Sequence, residues 1–172
     1  MNGDGVDDIV IGAYQADVAS ALNAGISYVI FGRDIAGGAP AFTDIDLASS
    51  LSPATGFRIL GVRMQDLSGS SVACAGDVNG DGISDVIVGA PMADPPTPLA
   101  ANSNAGIAYV IFGRDVAHGA PAFGDILLSS INSSSSDGFR ALGGVANGRL
   151  GTVVSAAGDV NGDGVDDFIV SG

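Results

Sequence analysis

The sequence predicts an all-β fold made of four-stranded, β-propeller-type blades in tandem. Three observations predict it. An Asp-rich loop recurs, with Asn2, Asn79 and Asn161 marking the same loop position 77 and then 82 residues apart. Short β-branched runs bounded by glycine follow each loop, and no stretch has helical periodicity. The 19 acidic residues are all Asp and the six basic ones all Arg, so two good helix formers are missing, while 27 Gly and 7 Pro punctuate the chain.

Taken in order, the runs after the loops are Ile9–Ala13, Val86–Pro91 and Phe168–Gly172, each read as a strand. The connection that follows is four residues longer in the second copy, where Asp94-Pro95-Pro96-Thr97-Pro98 reads as an exposed loop. Next come the twin segments Ala24–Asp34 and Ala105–Asp115, whose continuous apolar runs suit strands covered on both faces. A Gly/Pro turn ends in Phe42 or Phe123, and the short segments Asp44–Leu47 and Asp125–Leu128 follow. Gly56–Gly61 and Gly138–Gly143 read as the last strand of each unit, and Gly69–Gly76 and Gly151–Gly158 lead into the next loop. Each period thus holds about four strands, with the Asp-rich loop as one hairpin connection. Repeat 1 covers about 2–78, repeat 2 about 79–160, and a partial repeat 161–172, all one array over 1–172. Two repeats and a part are too few to close a ring, since propellers take typically 4–8 blades.

The loop Asp77-Val78-Asn79-Gly80-Asp81-Gly82-Ile83-Ser84-Asp85 sets oxygen-bearing side chains at positions 1, 3, 5 and 9, with glycine at 6. Such a loop can curl around a hard cation, with the Ile83 carbonyl and Asp85 closing the far side, and Ca²⁺ is the usual occupant. The nonapeptide returns as Asp159–Asp167, and a copy without its first Asp opens the chain at Met1–Asp8. A plain Asn-Gly-Asp-Gly turn would not need the further oxygens at fixed offsets. Two like charges ~4 Å apart cost roughly 4 kcal/mol at an effective dielectric near 20, so three carboxylates without a basic residue call for a cation. An EF-hand loop would need an acidic residue at position 12 and a helix beyond; Val88 and Val170 stand there, inside strand patterns.

A formal net charge of −13 argues against nucleic acid or an anionic membrane as partner. Three bound Ca²⁺ ions would reduce it to −7. No apolar run is long enough for a spanning helix, so no membrane insertion is expected. Cys74 lies in an apolar run and reads as a buried thiol. His118, the only histidine, sits in a Gly/Pro turn and reads as solvent-exposed; Arg33-Asp34 and Arg114-Asp115 read as local ion pairs. No catalytic constellation is present, so no enzyme is expected.

Phe31-Gly32 and Phe112-Gly113, with Gly89-Ala90-Pro91, the degenerate Gly12-Ala13-Tyr14 and the intervening Asp-x-Asn-x-Asp-Gly-x-x-Asp loops, resemble FG-GAP repeats. These are the blades of the integrin α-subunit propeller and recur in large bacterial surface and secreted proteins. The resemblance covers nearly the whole chain. It implies Ca²⁺ ligands at Asp77, Asn79, Asp81, the Ile83 carbonyl and Asp85, and again at Asp159, Asn161, Asp163, the Val165 carbonyl and Asp167. Asn2, Asp4, the Val6 carbonyl and Asp8 match in part, because nothing in this sequence supplies position 1, so two sites and a partial third are expected. The implied role is a non-enzymatic, Ca²⁺-stabilised, extracellular or cell-surface structural or adhesive repeat protein. Its split terminal blades expose strand edges and suit head-to-tail self-association into a ring or filament. The alternative is a propeller module taken from a larger secreted protein, its loops binding a protein or glycan.

Overall fold

The β-branched runs form strands at the expected places. In the computed structural model, residues 1–49, 51–96 and 103–172 are described. The strands are β1 Ile9–Ala13, β2 Ile26–Ile30, β3 Gly56–Leu60, β4 Ser71–Gly76, β5 Asp85–Ala90, β6 Ile107–Ile111, β7 Ile126–Leu127, β8 Gly138–Leu142, β9 Val153–Gly158 and β10 Asp167–Ser171. Two 3-10 turns, Val116–His118 and Leu128–Ser130, complete the regular structure among the described residues. None of the described helices is long and apolar enough to cross a membrane.

The strands form sheets β1-β2-β3-β7, β4-β5-β6-β8 and β10-β9. They stand as open blades and do not close into a ring. Pairing is antiparallel except where β7 joins β3 in parallel. Each blade is offset by one strand from the sequence period. β4 precedes the second Asp-rich loop and pairs with β5 beyond it, so the loop is a hairpin inside one blade. β9 and β10 enclose the third loop in the same way.

The continuous apolar runs are explained by sheets covered on both faces. Every residue of β6 is buried, and its alternation divides them between two cores. Ile107, Tyr109 and Ile111 face the first blade, where they meet Val29, Phe57 and Ile59. Ala108 and Val110 face the β9–β10 side and pack with Val154, Phe168 and Val170. A strand period of two makes this division automatic. The outer face of the first blade, Ile26, Tyr28 and Ile30, is roofed in part by Leu47 and Leu51.

Glycine at the first position of the Gly-Ala-Pro element has a packing cause. A Cβ on Gly89 would lie 2.0 Å from the Gly151 carbonyl oxygen, and one on Gly12 2.1 Å from that of Gly69. The backbone leading into each following strand crosses there, Gly69 before β4 against Gly12 and Gly151 before β9 against Gly89. We predict that Gly89→Ala destabilises the fold by about 1–3 kcal/mol, as other forced overpacking does. Urea unfolding of the variant checks this; an unchanged midpoint would show that the blades separate freely at this crossing.

Several local expectations change. Cys74 is exposed, not buried. It lies on the end strand of its sheet, where alternation turns Ala75 inward and the thiol outward. The expected Arg-Asp ion pairs between sequence neighbours do not form. Arg114 reaches Asp137 at 3.0 Å, while Asp115 holds the His118 ring at 2.7 Å; Asp34 accepts from the Gly37 N–H. Adjacent residues point apart, so their charges find partners further along the chain. The His118 side chain is exposed as expected. In the loop expected to be exposed, Pro95 is buried and Pro96 exposed; Thr97 and Pro98 lie outside the described residues.

Candidate metal-binding loops

The Asp-rich loops hold their shape through side chains that accept hydrogen bonds from their own backbone. In the loop between β4 and β5, Asp77 Oδ1 accepts from the N–H groups of Gly80 at 2.8 Å and Asp81 at 3.0 Å, and Oδ2 from Gly82 at 2.7 Å. Asn79 Oδ1 accepts from Asp81 N–H at 2.9 Å, and Asp81 Oδ1 from Ile83 N–H at 2.8 Å. Gly80 and Gly82 have φ of 77° and 87°, a region glycine enters at no steric cost and which the curl requires. At the far end Asp85 is wholly buried and accepts from Val78 N–H at 3.0 Å and Gly113 N–H at 2.8 Å. Burial pushes its carboxyl up to about 6.

The loop between β9 and β10 repeats the pattern. Asp159 gathers the N–H groups of Gly162, Asp163 and Gly164 at 2.7, 3.1 and 2.8 Å. The Gly164 N–H foremost, with its neighbours, holds this carboxyl below the usual carboxylate range. Asn161 accepts from Asp163 N–H, Asp163 from Val165 N–H, and Asp167 from Val160 N–H. The first loop keeps the turns of Asn2 and Asp4, the latter accepting from Val6 N–H at 2.9 Å. No carboxylate equivalent to Asp77 stands there. Asp8 accepts from Gly32 N–H at 2.9 Å and meets the Met1 α-ammonium at 2.9 Å, where Asp85 and Asp167 each meet a peptide N–H.

Among the described residues no three His, Cys, Asp or Glu side chains stand together as a ready metal cage. What each complete loop offers is a mixed donor set: carboxylates, one amide oxygen and a peptide carbonyl on a curled backbone. None of these carboxylates has a basic side-chain partner. That chemistry fits a hard divalent cation.

Loop spacing assigns no role to Asp166, yet it links two loops. Its Oδ2 accepts from Asp77 N–H at 2.9 Å, and its own N–H donates to the Asp77 carbonyl at 2.9 Å. The one signal in the sequence is an Asp at this position in the first and third loops, as Asp7 and Asp166, with Ser84 in the second. It carries no information about the neighbouring loop that receives it.

A second acidic residue outside the loops is perturbed. Asp66 is 7% exposed, accepts from Arg63 N–H at 3.1 Å, and burial pushes its carboxyl up to about 6. A folded value above the unfolded one means that the fold binds this proton more tightly, so stability is lost as pH rises from about 4 through about 6. We predict that Asp66→Asn, which keeps an acceptor, raises stability at pH 7.5 by about 1–2 kcal/mol and leaves it unchanged at pH 4. Urea midpoints at the two pH values check it.

Tandem open blades, with Asp-rich loops closing the β4–β5 and β9–β10 hairpins, define a blade-repeat protein. The family model for the FG-GAP repeat matches residues 1–30 and 68–111, and over these segments the chain is similar to FG-GAP repeats. Integrin alpha-PS2 of Drosophila melanogaster is similar, at 32% identity over 114 residues that make up 66% of this chain. The chain spans 7% of the length of that relative.

Proposed function

We propose that this chain is a non-enzymatic, extracellular adhesive repeat module whose blade hairpins are clamped by Ca²⁺. The observation that carries the metal is the shared hydrogen-bond pattern of loops 77–85 and 159–167. Asp77, Asn79, Asp81, the Ile83 carbonyl and Asp85 would hold one ion. Asp159, Asn161, Asp163, the Val165 carbonyl and Asp167 would hold a second. Asn2, Asp4, the Val6 carbonyl and Asp8 offer a partial third set. The ion supplies positive charge among clustered carboxylates and ties the two strands of a hairpin together. Thermal melting in calcium and in EDTA tests the reading; identical curves would overturn it.

The adhesive role and the surface location rest on the kinship with an integrin α chain. A protein ligand fits the same kinship, and self-association through open blade edges belongs to this reading. A second reading, a ligand-gripping module, draws on the connection from Asp94 to Asn104, four residues longer than its counterpart in repeat 1. Replacing that connection by the shorter one would abolish ligand capture and spare the fold if this reading holds.

A further inference from the structure

Loops 77–85 and 159–167 are joined through one residue. Asp166 grips the Asp77 backbone on both sides of its Cα: Asp166 Oδ2 accepts from the Asp77 N–H at 2.9 Å, and the Asp166 N–H donates to the Asp77 carbonyl at 2.9 Å. The approach is close. Gly76 has φ of 81°, and a Cβ there would lie 2.2 Å from Asp166 Oδ2. Beside the grip, Val78 packs in one apolar cluster with Phe168 and Val170. Asp77 and Asp166 are both half-buried, so water does not readily replace these bonds.

The place of Asp166 in the chain gives the grip its meaning. On either side of it stand two candidate ligands of its own loop, the Val165 carbonyl and Asp167. The residue it grips, Asp77, is the first candidate ligand of the other loop. Peptide groups are planar, so holding both peptides of Asp77 fixes its φ and ψ and hence the direction of its side chain. That carboxylate is also the anchor of its loop, since it accepts from the N–H groups of Gly80, Asp81 and Gly82. Asp166 is held in turn by the curl of loop 159–167, where Asp163 accepts from Val165 N–H at 2.9 Å and Asp167 from Val160 N–H at 3.0 Å. Order in one loop is therefore passed to the other through two hydrogen bonds.

We propose that Asp166 is a positioning residue that couples the two loops, so that filling loop 159–167 raises the Ca²⁺ affinity of loop 77–85. By linkage, filling loop 77–85 raises the affinity of loop 159–167 by the same factor. The source is ordering. Once Val165 and Asp167 are fixed as ligands, Asp166 is fixed between them and Asp77 already stands in place. The second ion is then spared part of the cost of ordering its own loop. The inference rests on the calcium reading above and adds that the two complete sites do not fill independently.

Isothermal titration of the 172-residue chain with Ca²⁺ tests it, with Asp4→Ala throughout to silence the first loop. Asp163→Ala leaves loop 77–85 alone to bind, and Asp81→Ala leaves loop 159–167 alone. With both loops intact, the product of the two association constants is expected to exceed the product of the single-loop constants by at least ~5-fold. Asp166→Ala, measured in the same three backgrounds, should bring that ratio to one. Asp166→Ser is a second variant with the same expectation, because loop 77–85 itself folds with Ser84 at the matching place. Asp166→Asn keeps an oxygen for the Asp77 N–H and should keep the ratio, which separates bracing from the loss of a charge. Melting curves verify the fold of each variant. A chain that binds no Ca²⁺ at either loop overturns the calcium reading and the coupling with it. Two ions bound with a ratio of one, a ratio that survives both Asp166→Ala and Asp166→Ser, or one that Asp166→Asn abolishes as fully as alanine does, overturns the coupling alone.

Discussion

Chelation of calcium is expected to lower the melting temperature of this chain by roughly 10–20 °C. The size follows from linkage. An ion present at 100 times its dissociation constant adds about 2.7 kcal/mol per site, so two complete loops add about 5 kcal/mol. For a chain of this length each kcal/mol moves the midpoint by about 2–4 °C. The physical source is in the loops. Asp77 and Asp159 spend their oxygens on backbone N–H groups that hold the curl, and this leaves Asp81 and Asp163 in the same turn without a basic partner. A divalent ion bound in each loop would offset the repulsion between Asp77 and Asp81 and between Asp159 and Asp163, and would tie β4 to β5 and β9 to β10. Replacing both Asp77 and Asp159 by Ala should remove most of the calcium-dependent shift, while the first loop, which lacks that carboxylate, contributes little to it. Calorimetry in calcium and in EDTA measures both effects. A shift kept in the double variant would mean that the ion binds elsewhere.

Phe123→Ala is expected to cost about 3–5 kcal/mol, the range for truncating a fully buried phenylalanine. Phe123 is 1% exposed, stacks on Phe57 and stands 6.0 Å from Phe31, so it joins the second repeat to the first blade. Its loss leaves a cavity between the blades and frees β7 from β3. The matched substitution Phe42→Ala is expected to stay within about 0.5 kcal/mol, because that ring is 42% exposed. Urea unfolding of the two variants side by side gives the comparison; equal costs would mean that the ring at 123 does not bridge the blades.

The Phe42 and Phe123 pair shows how far the sequence could be read. Gly-Ala-Pro-Ala stands before both rings, and Asp-Ile follows each one residue on. Phe123 is core because it enters the first blade and stacks on Phe57. Cys74 and Arg114 teach the same lesson. An apolar run conceals which of its residues faces out, and a charge beside an opposite charge in sequence need not pair with it: Arg114 reaches Asp137 instead of Asp115. Asp166 braces a neighbouring loop, a contact 89 residues apart that no local pattern reports.

The sequence alone determined the period, the all-β class, the curled loops with their candidate ligands, and the doubly covered strands. These depend on interactions within a few residues: side-chain acceptors over backbone N–H groups, glycine at positive φ, unbroken apolar runs. The tertiary structure decided the rest. It placed β4 in the blade of the following loop, lent β7 to the blade before, and buried Asp66 and Asp85. Those outcomes follow from packing between blades, where identical motifs acquire different environments according to which neighbour stands beside them.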